Sequence, residues 1–318
     1  MKKMLLTAAL LIAVSFSAAA ESLYRQLPAG TAAAVRVRIE KLLAEPLFKA
    51  LAEESADVKQ AMKKIENFST EKTGREVTIR EALFSFVDEK RWNVFMECGG
   101  LDEAFFRSSI LREYPQAEET TVNGRPAFRL APRTKDTPAM TVALLRDDLI
   151  AAGAANDLAA ALKAPRMNAK AADQLERADE LVTLDILDCS KINELLGDQQ
   201  TEPLFRTLRG AGSVVGDQAL KLHLEALCTS ADAAQMVAMQ AQQLMMIGVT
   251  FGLSADPELA QQILQRLKIK ATEANVDAEL ELTREMLSGL AGYEKKAQEQ
   301  RRKLREQRKQ RQLEPTAK

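Results

Sequence analysis

Three stretches of the chain alternate apolar and polar residues in the way that half-buried β-strands do. Every second residue from Trp92 to Cys98 is apolar, and the stretch from Leu220 to Cys228 has the same pattern. Val276 to Leu282 alternates as well, with acidic residues at the intervening positions. A period of two places the apolar side chains on one face of a strand. We therefore predict a strand in each of the three segments.

Helix and turn signals fall between these strands. An aspartate, Asp102 or Asp232, follows four residues after the cysteine that ends each of the first two stretches, at the start of a predicted helix. Carboxylates are favoured there because they interact with free N–H groups and with the helix dipole. Asn123-Gly124 predicts a tight hairpin turn. Asp256-Pro257 predicts the start of another helix.

The recurring order of these features predicts an internal duplication. Glu45–Leu51 reads EPLFKAL and Glu202–Leu208 reads EPLFRTL, and each lies downstream of an apolar, strand-like segment. We predict an α+β fold of two tandem, divergent repeats of mixed strands and helices. The predicted boundaries are 21–164 for the first repeat, 165–179 for a linker, 180–292 for the second repeat and 293–318 for a basic helical tail. Strand order and the packing of the repeats do not follow from the sequence.

The first twenty residues have the pattern of a secretory signal peptide. Lys2 and Lys3 precede an apolar run from Leu5 to Phe16, and the small residues that signal peptidase accepts follow at 17–20. We predict cleavage after Ala20 and a periplasmic or secreted protein. No later stretch has the roughly 20 apolar residues of a transmembrane helix.

Residues typical of catalysis are scarce. The only histidine, His223, falls on the polar side of a predicted strand between Lys221 and Glu225, where we expect a solvated side chain. The sequence contains no H-E-x-x-H, C-x-x-C or calcium-loop pattern and no G-x-S-x-G motif. We therefore predict a protein without a cofactor or a metal, and we assign no catalytic residue. A carboxylate-dependent hydrolase stays an alternative, because a sequence does not show the distance between two carboxylates.

The three cysteines, Cys98, Cys189 and Cys228, would enter an oxidising compartment after export. Cys98 and Cys228 occupy equivalent places in the two predicted repeats. If the repeats pack about a twofold axis, these residues form a candidate disulfide. Three buried free thiols are the alternative.

A methionine-rich helix is predicted at 233–247. Its methionines are Met236, Met239, Met245 and Met246. Flexible methionine side chains adapt to varied apolar partners, which suggests a carrier or chaperone for apolar ligands as an alternative function. Because an apolar helical stripe usually faces a core, we expect these side chains to be packed.

The C-terminal segment 294–314 is strongly basic. It holds nine basic and four acidic residues, whereas the whole chain has 44 basic and 45 acidic residues. Its good helix formers predict a helix that continues from Arg284, but its apolar residues are too sparse for a stable coiled coil. The basic residues are Lys295, Lys296, Arg301, Arg302, Lys303, Arg305, Arg308, Lys309 and Arg311.

Together these features predict a non-catalytic binding or structural protein of the bacterial envelope. Its partner would be a protein or another envelope component, and the basic helix would contact an anionic membrane or a cell-wall polymer. Apolar residues are sparse beside these charges along the sequence, so we expect electrostatic contact without insertion. Because the protein is predicted to be exported, we expect no physiological nucleic-acid partner.

Overall fold

The computed structural model describes residues 22–66, 77–88, 91–132, 139–177, 179–190 and 204–313. The predicted signal peptide at 1–20 lies outside the described residues. So do Glu202 and Pro203, the first two residues of the second EPLF sequence.

The described strands form one antiparallel sheet. Its order is β11-β12-β10-β9-β8-β1-β2-β3-β7-β6-β5-β4, and all neighbouring strands are antiparallel. The strands are β1 Ala33–Arg38, β2 Thr78–Phe86, β3 Trp92–Gly99, β4 Glu118–Val122, β5 Arg125–Leu130, β6 Met140–Arg146, β7 Leu149–Ala154, β8 Val182–Ile186, β9 Phe205–Val215, β10 Ala219–Cys228, β11 Leu267–Thr272 and β12 Asn275–Thr283.

Groups of one to three helices separate groups of strands along the described chain. A short 3-10 helix, Leu23–Gln26, comes first. The α-helices are α1 Ile39–Ala44, α2 Pro46–Glu54, α3 Ala56–Glu66, α4 Glu103–Glu113, α5 Ala155–Lys163, α6 Ala169–Leu175, α7 Ala231–Gly252, α8 Pro257–Arg266 and α9 Arg284–Leu313. The α+β class predicted from the sequence is thus confirmed.

The strand order has an approximate symmetry about the central β1–β8 pair. The strands run β1-β2-β3-β7-β6 on one side of the pair and β8-β9-β10-β12-β11 on the other. The two EPLF sequences nevertheless differ in structure, because Pro46–Leu51 lies in α2 whereas Phe205–Leu208 lies in β9. Pairing with β10 decides the second conformation, since Leu208 lies opposite Ala226. The internal duplication stays a prediction.

The predicted linker contributes to the core. It contains α6, whose Ala172 and Leu175 are buried with Leu23 and Tyr24 of the 3-10 helix. This segment therefore packs against the sheet instead of running freely between two bodies. The proposed boundaries at 165 and 179 stay a prediction.

Both faces of the first part of the sheet are covered. Ala34 and Val35 are consecutive in β1, so their side chains point to opposite faces. Ala34 belongs to the core under the 3-10 helix, α5 and α6. Val35 packs in a second core with Phe105 and Phe106 of α4.

The second part of the sheet has one apolar and one polar face. Ala226 and Cys228 of β10 pack beneath α7, and Leu282 of β12 packs beneath α8 and α9. The opposite face of β10 carries Lys221 and His223. His223 lies 3.6 Å from Asp277 and is 43% exposed, as the alternating pattern predicted.

Local hydrogen bonds explain where the helices begin. Asp102 caps α4, accepting a hydrogen bond from the backbone N–H of Phe105. In α7, however, the cap is Ser230, and Asp232 lies within the first turn. The predicted Asp256 cap of α8 is confirmed. The Asn123-Gly124 turn is also confirmed, because both residues adopt the positive φ angles that a tight hairpin between β4 and β5 requires.

Candidate functional site

A buried cluster of charged side chains crosses the middle of the sheet. Arg36 of β1 donates two hydrogen bonds to Glu81, at 2.6 and 2.8 Å. Arg36 and Arg38 both also donate to Glu176. Burial acts to raise the pKa of Glu176, but hydrogen bonds from Ser22 and Arg36 and the two guanidinium charges outweigh it, and its pKa is lowered.

Tyr24 connects this cluster to β8. Its hydroxyl donates to Asp185 at 2.8 Å, and its ring lies 5.4 Å from the Arg36 guanidinium carbon. Arg177 donates to both oxygens of Asp185, at 2.8 Å each. Burial, followed by the charge of Asp185, raises the pKa of Tyr24 well above its ordinary value.

We interpret this cluster as structural. Each of its three carboxylates is paired with at least one arginine. The pairs of Arg36 with Glu81 and Glu176 join segments far apart in sequence, whereas Arg177 and Asp185 are eight residues apart. The contacts fix the N-terminal 3-10 helix and the segment after α6 to β1 and β8. Buried charges that are fully paired in this way orient a fold, whereas a general acid or base needs access to a substrate.

The outer surface of α7 is the most exposed apolar surface of a helix in the described part of the chain. No charged residue lies between Asp232 and Asp256. Leu244, Ile247 and Phe251 are 70%, 55% and 76% exposed. Their spacing of three and four residues places them on one side of the helix, and we call them the α7 stripe.

The methionines of α7 add to this surface. Met236, Met239 and Met246 are exposed, and Met245 is half-buried. Our expectation that the methionines pack in a core is therefore wrong for three of the four. The reason is that α7 packs on the sheet through small residues, including Ala233 and Ala234, so its larger side chains face outward.

The basic helix α9 begins at the end of β12 and runs to Leu313, a length of about 45 Å. Leu287, Leu290 and Tyr293 pack in the core formed with α8. The Tyr293 hydroxyl accepts a hydrogen bond from the backbone N–H of Ala255 at 3.2 Å. Lys296 donates to Asp256 at 2.5 Å. These two contacts fix α9 at the turn between α7 and α8.

This turn brings the apolar and basic segments together. Phe251 lies four residues before Ala255, and the basic segment of α9 begins beside Ala255 and Asp256. The structure describes the side chains of Lys296 and Arg302 in that segment, and both are exposed. The other seven basic side chains of the segment lie outside the described side chains. We call the α7–α8 turn, together with α7 and the part of α9 that contacts this turn, the α7–α9 corner.

The cysteines do not form the candidate disulfide. All three are free and buried, and burial raises the pKa of Cys98 to about 12. Cys98 lies in β3 and Cys228 in β10, with four strands between them. Five interstrand spacings amount to about 24 Å, whereas a disulfide requires Cα atoms within about 7 Å. The symmetry that suggested the bridge places the two residues on opposite sides of the sheet centre.

Thiol titration tests this assignment. We expect no rapid reaction of a thiol reagent with the native protein, because all three sulfurs are buried, and three reactive thiols after unfolding without reductant. Adding reductant before unfolding should leave the count at three. A count of one without reductant and three with it would show a disulfide and contradict the fold.

Among the surface pockets formed by the described residues, two are lined mainly by polar side chains. The larger, of about 440 Å³, is lined in part by Glu54, Arg266, Glu281 and Arg284. Arg284 pairs with Glu54 at 2.5 Å, and Arg266 pairs with Glu281 at 2.8 Å. Within the described residues, no three His, Cys, Asp or Glu side chains are arranged to hold a metal ion. None of the described helices combines the length and hydropathy needed to span a membrane.

Comparisons with known proteins do not place the chain in a family. No family model matches it, and no curated protein matches it significantly. It is similar to the crystal structure of TP0453, crystal form I, with a TM-score of 0.43 and 12% sequence identity. The similarity covers 87% of this chain and 99% of the other. A likeness at this TM-score supports no conclusion about fold or function, so a functional proposal has to rest on the geometry of the α7–α9 corner.

Proposed function

We propose that this protein is a non-catalytic binding protein of the bacterial envelope that attaches peripherally to an anionic surface through α9. The observation that carries the proposal is the pair of contacts at Tyr293 and Lys296. They hold α9 against the body, so its basic segment is presented from a fixed position. The signal-peptide pattern at 1–20 supports a location in the envelope.

Charge supports an electrostatic attachment. The segment 294–314 carries a net charge of +5, while the chain as a whole carries −1. Such an uneven charge distribution attracts anionic surfaces at low ionic strength, and salt screens the attraction over about 8–10 Å.

The buried charges support the absence of catalysis. The central cluster is paired internally, and the glutamates Glu54 and Glu281 of the larger cavity each pair with an arginine. The paired carboxylates at these two places therefore give the hydrolase alternative no support. The carrier alternative depends on the exposed apolar surface of α7, which a bilayer and a soluble apolar ligand could both contact.

Cosedimentation tests the attachment. The protein without residues 1–20 is mixed with vesicles of phosphatidylcholine and phosphatidylglycerol, or with isolated envelope, at 50 and 500 mM salt. We expect binding at low salt that falls at least about tenfold at high salt, because several cations contribute. Deletion of residues 294–318 should cause a comparable loss.

A matched variant distinguishes the effect of the charge of α9 from the effect of its length. Glutamine is also a good helix former, so replacing the seven basic residues beyond Ala297 by glutamine keeps the helix while removing its charge. We expect this variant to bind as weakly as the truncated protein. Binding that is unchanged by both alterations would contradict the proposal. The residues replaced are Arg301, Arg302, Lys303, Arg305, Arg308, Lys309 and Arg311.

A further inference from the structure

We propose that the anionic surface is a lipid bilayer and that α7 lies in its interface, with the α7 stripe among the acyl chains. The basic segment of α9 then contacts the headgroups beside it. This inference rests on the proposed attachment and names its partner. It also assigns a role to α7, which attachment through α9 alone does not use.

Several large apolar side chains of α7 are exposed on the same helix. Single exposed apolar side chains are ordinary on protein surfaces. In α7, however, the α7 stripe is accompanied by Met236, Met239 and Met246, all exposed on the same helix. Apolar surfaces of this kind mark contacts with a membrane or another apolar partner.

The orientation of α7 places small side chains against the sheet and large ones outward. Its small residues Ala233 and Ala234 contact the sheet, while Leu244 and Phe251 face outward. Folding stability favours the opposite arrangement, because burial of a larger apolar side chain contributes more. The outward position of the largest side chains is therefore explained by contact with an apolar phase outside the protein.

The distribution of charge around α7 favours a lipid bilayer as the partner. The α7 stripe contains no charged neighbour along its own helix, so it can enter the acyl region. Cations lie at one border, the α7–α9 corner, where Lys296 contacts Asp256 and the basic segment of α9 begins. Lys268 and Lys270 of the edge strand β11 point to the other face of the sheet, because Ile269 between them packs beneath α7. An apolar face bordered by lysines and arginines is what an interfacial helix presents to anionic lipids.

The inference revises the expectation of attachment without insertion. Along the sequence, Phe251 is far from the basic segment that starts at Glu294. The hydrogen bonds of Tyr293 and Lys296 to the α7–α8 turn bring the two segments together in space. Apolar and basic groups thus meet at the α7–α9 corner, although α7 has no basic residue and the basic segment of α9 has few apolar ones.

A single fluorophore tests the insertion. The chain has one tryptophan, Trp92. The double variant Trp92→Phe/Phe251→Trp therefore reports only on the α7 stripe. With vesicles of phosphatidylcholine and phosphatidylglycerol, we expect its emission to shift to the blue and to be quenched by lipids brominated on the acyl chain. The variant Trp92→Phe/Leu111→Trp is the control, because Leu111 is an exposed apolar residue of α4, and its emission should stay unchanged.

Partitioning gives the second measurement. Replacing Leu244, Ile247 and Phe251 by serine should weaken binding to the same vesicles on the order of 100-fold, since three large apolar contacts are removed. The matched control replaces Leu111, Val215 and Leu227, which are exposed elsewhere, by serine. We expect it to bind like the unaltered protein. Circular dichroism of each variant confirms that it is folded.

The outcomes distinguish the two proposals. Vesicle binding that depends on α9, with unshifted and unquenched emission from the α7 stripe, would overturn the inference and leave the attachment intact. Failure of the unaltered protein to bind both vesicles and envelope would overturn both. A blue shift with a soluble apolar peptide but none with vesicles would also overturn the inference and would favour the carrier.

Discussion

Replacing Arg36 with alanine is expected to lower the free energy of unfolding by about 3–5 kcal/mol. The Arg36 side chain is 7% exposed and pairs with Glu81 and Glu176, so its removal leaves two largely buried carboxylates without one of their arginine partners. Equilibrium denaturation in urea, monitored by circular dichroism, measures the change. Arg36→Lys should lose less, because it keeps the charge but not the two-point contact with Glu81.

The matched control for this substitution is Arg25→Ala. Arg25 also bonds a carboxylate at two points, but it is 39% exposed and its partner Asp173 is 52% exposed. Water replaces such a pair with little loss, so we expect a change below about 1 kcal/mol. Equal losses for Arg36→Ala and Arg25→Ala would show that the central cluster does not stabilise the fold.

Replacing Phe128 with alanine is expected to cost about 3–5 kcal/mol of unfolding free energy. The side chain is fully buried in β5, and its ring lies 5.8 Å from that of Phe106, centroid to centroid. Truncation therefore removes apolar burial and an aromatic contact and leaves a cavity between the sheet and α4. The same urea measurement reports the change.

Phe251→Ala is the control for Phe128→Ala, and it also tests the role of the α7 stripe in vesicle binding. It removes the same atoms from a side chain that is 76% exposed, so we expect a change below about 0.5 kcal/mol. A stable Phe251→Ala protein with weakened vesicle binding would separate the role of the α7 stripe from packing. A loss comparable to that of Phe128→Ala would mean that Phe251 is packed in solution, and the α7 stripe would no longer be an exposed surface.

Local rules predicted much of the secondary structure. The alternation at 92–98 and 220–228 became β3 and β10, and the turn at Asn123-Gly124 joins β4 and β5. The cap at Asp256 starts α8. Each of these features depends on residues only a few positions apart, so strand periodicity, capping and turn geometry determine it.

The sequence predicted the two segments of the candidate site but not their contact. The charges of 294–314 and the methionines of 233–247 are plain from composition, but their proximity is not. The sequence does contain a sign that α7 is exposed. The long uncharged stretch between Asp232 and Asp256 includes four polar glutamines, Gln235, Gln240, Gln242 and Gln243. An amphipathic pattern does not state whether its apolar side faces a core, and for that reason the packing expectation was wrong.

Sequence patterns were enough to establish the α+β class, the main strands, several helix starts and the uneven charge of the chain. Tertiary packing was needed to separate Cys98 and Cys228 onto distant strands, to extend residues 205–208 although their EPLF counterpart is helical, and to turn α7 outward. It also placed α9 against the α7–α8 turn. These outcomes depend on pairing and packing between residues far apart in sequence, which local propensity does not encode.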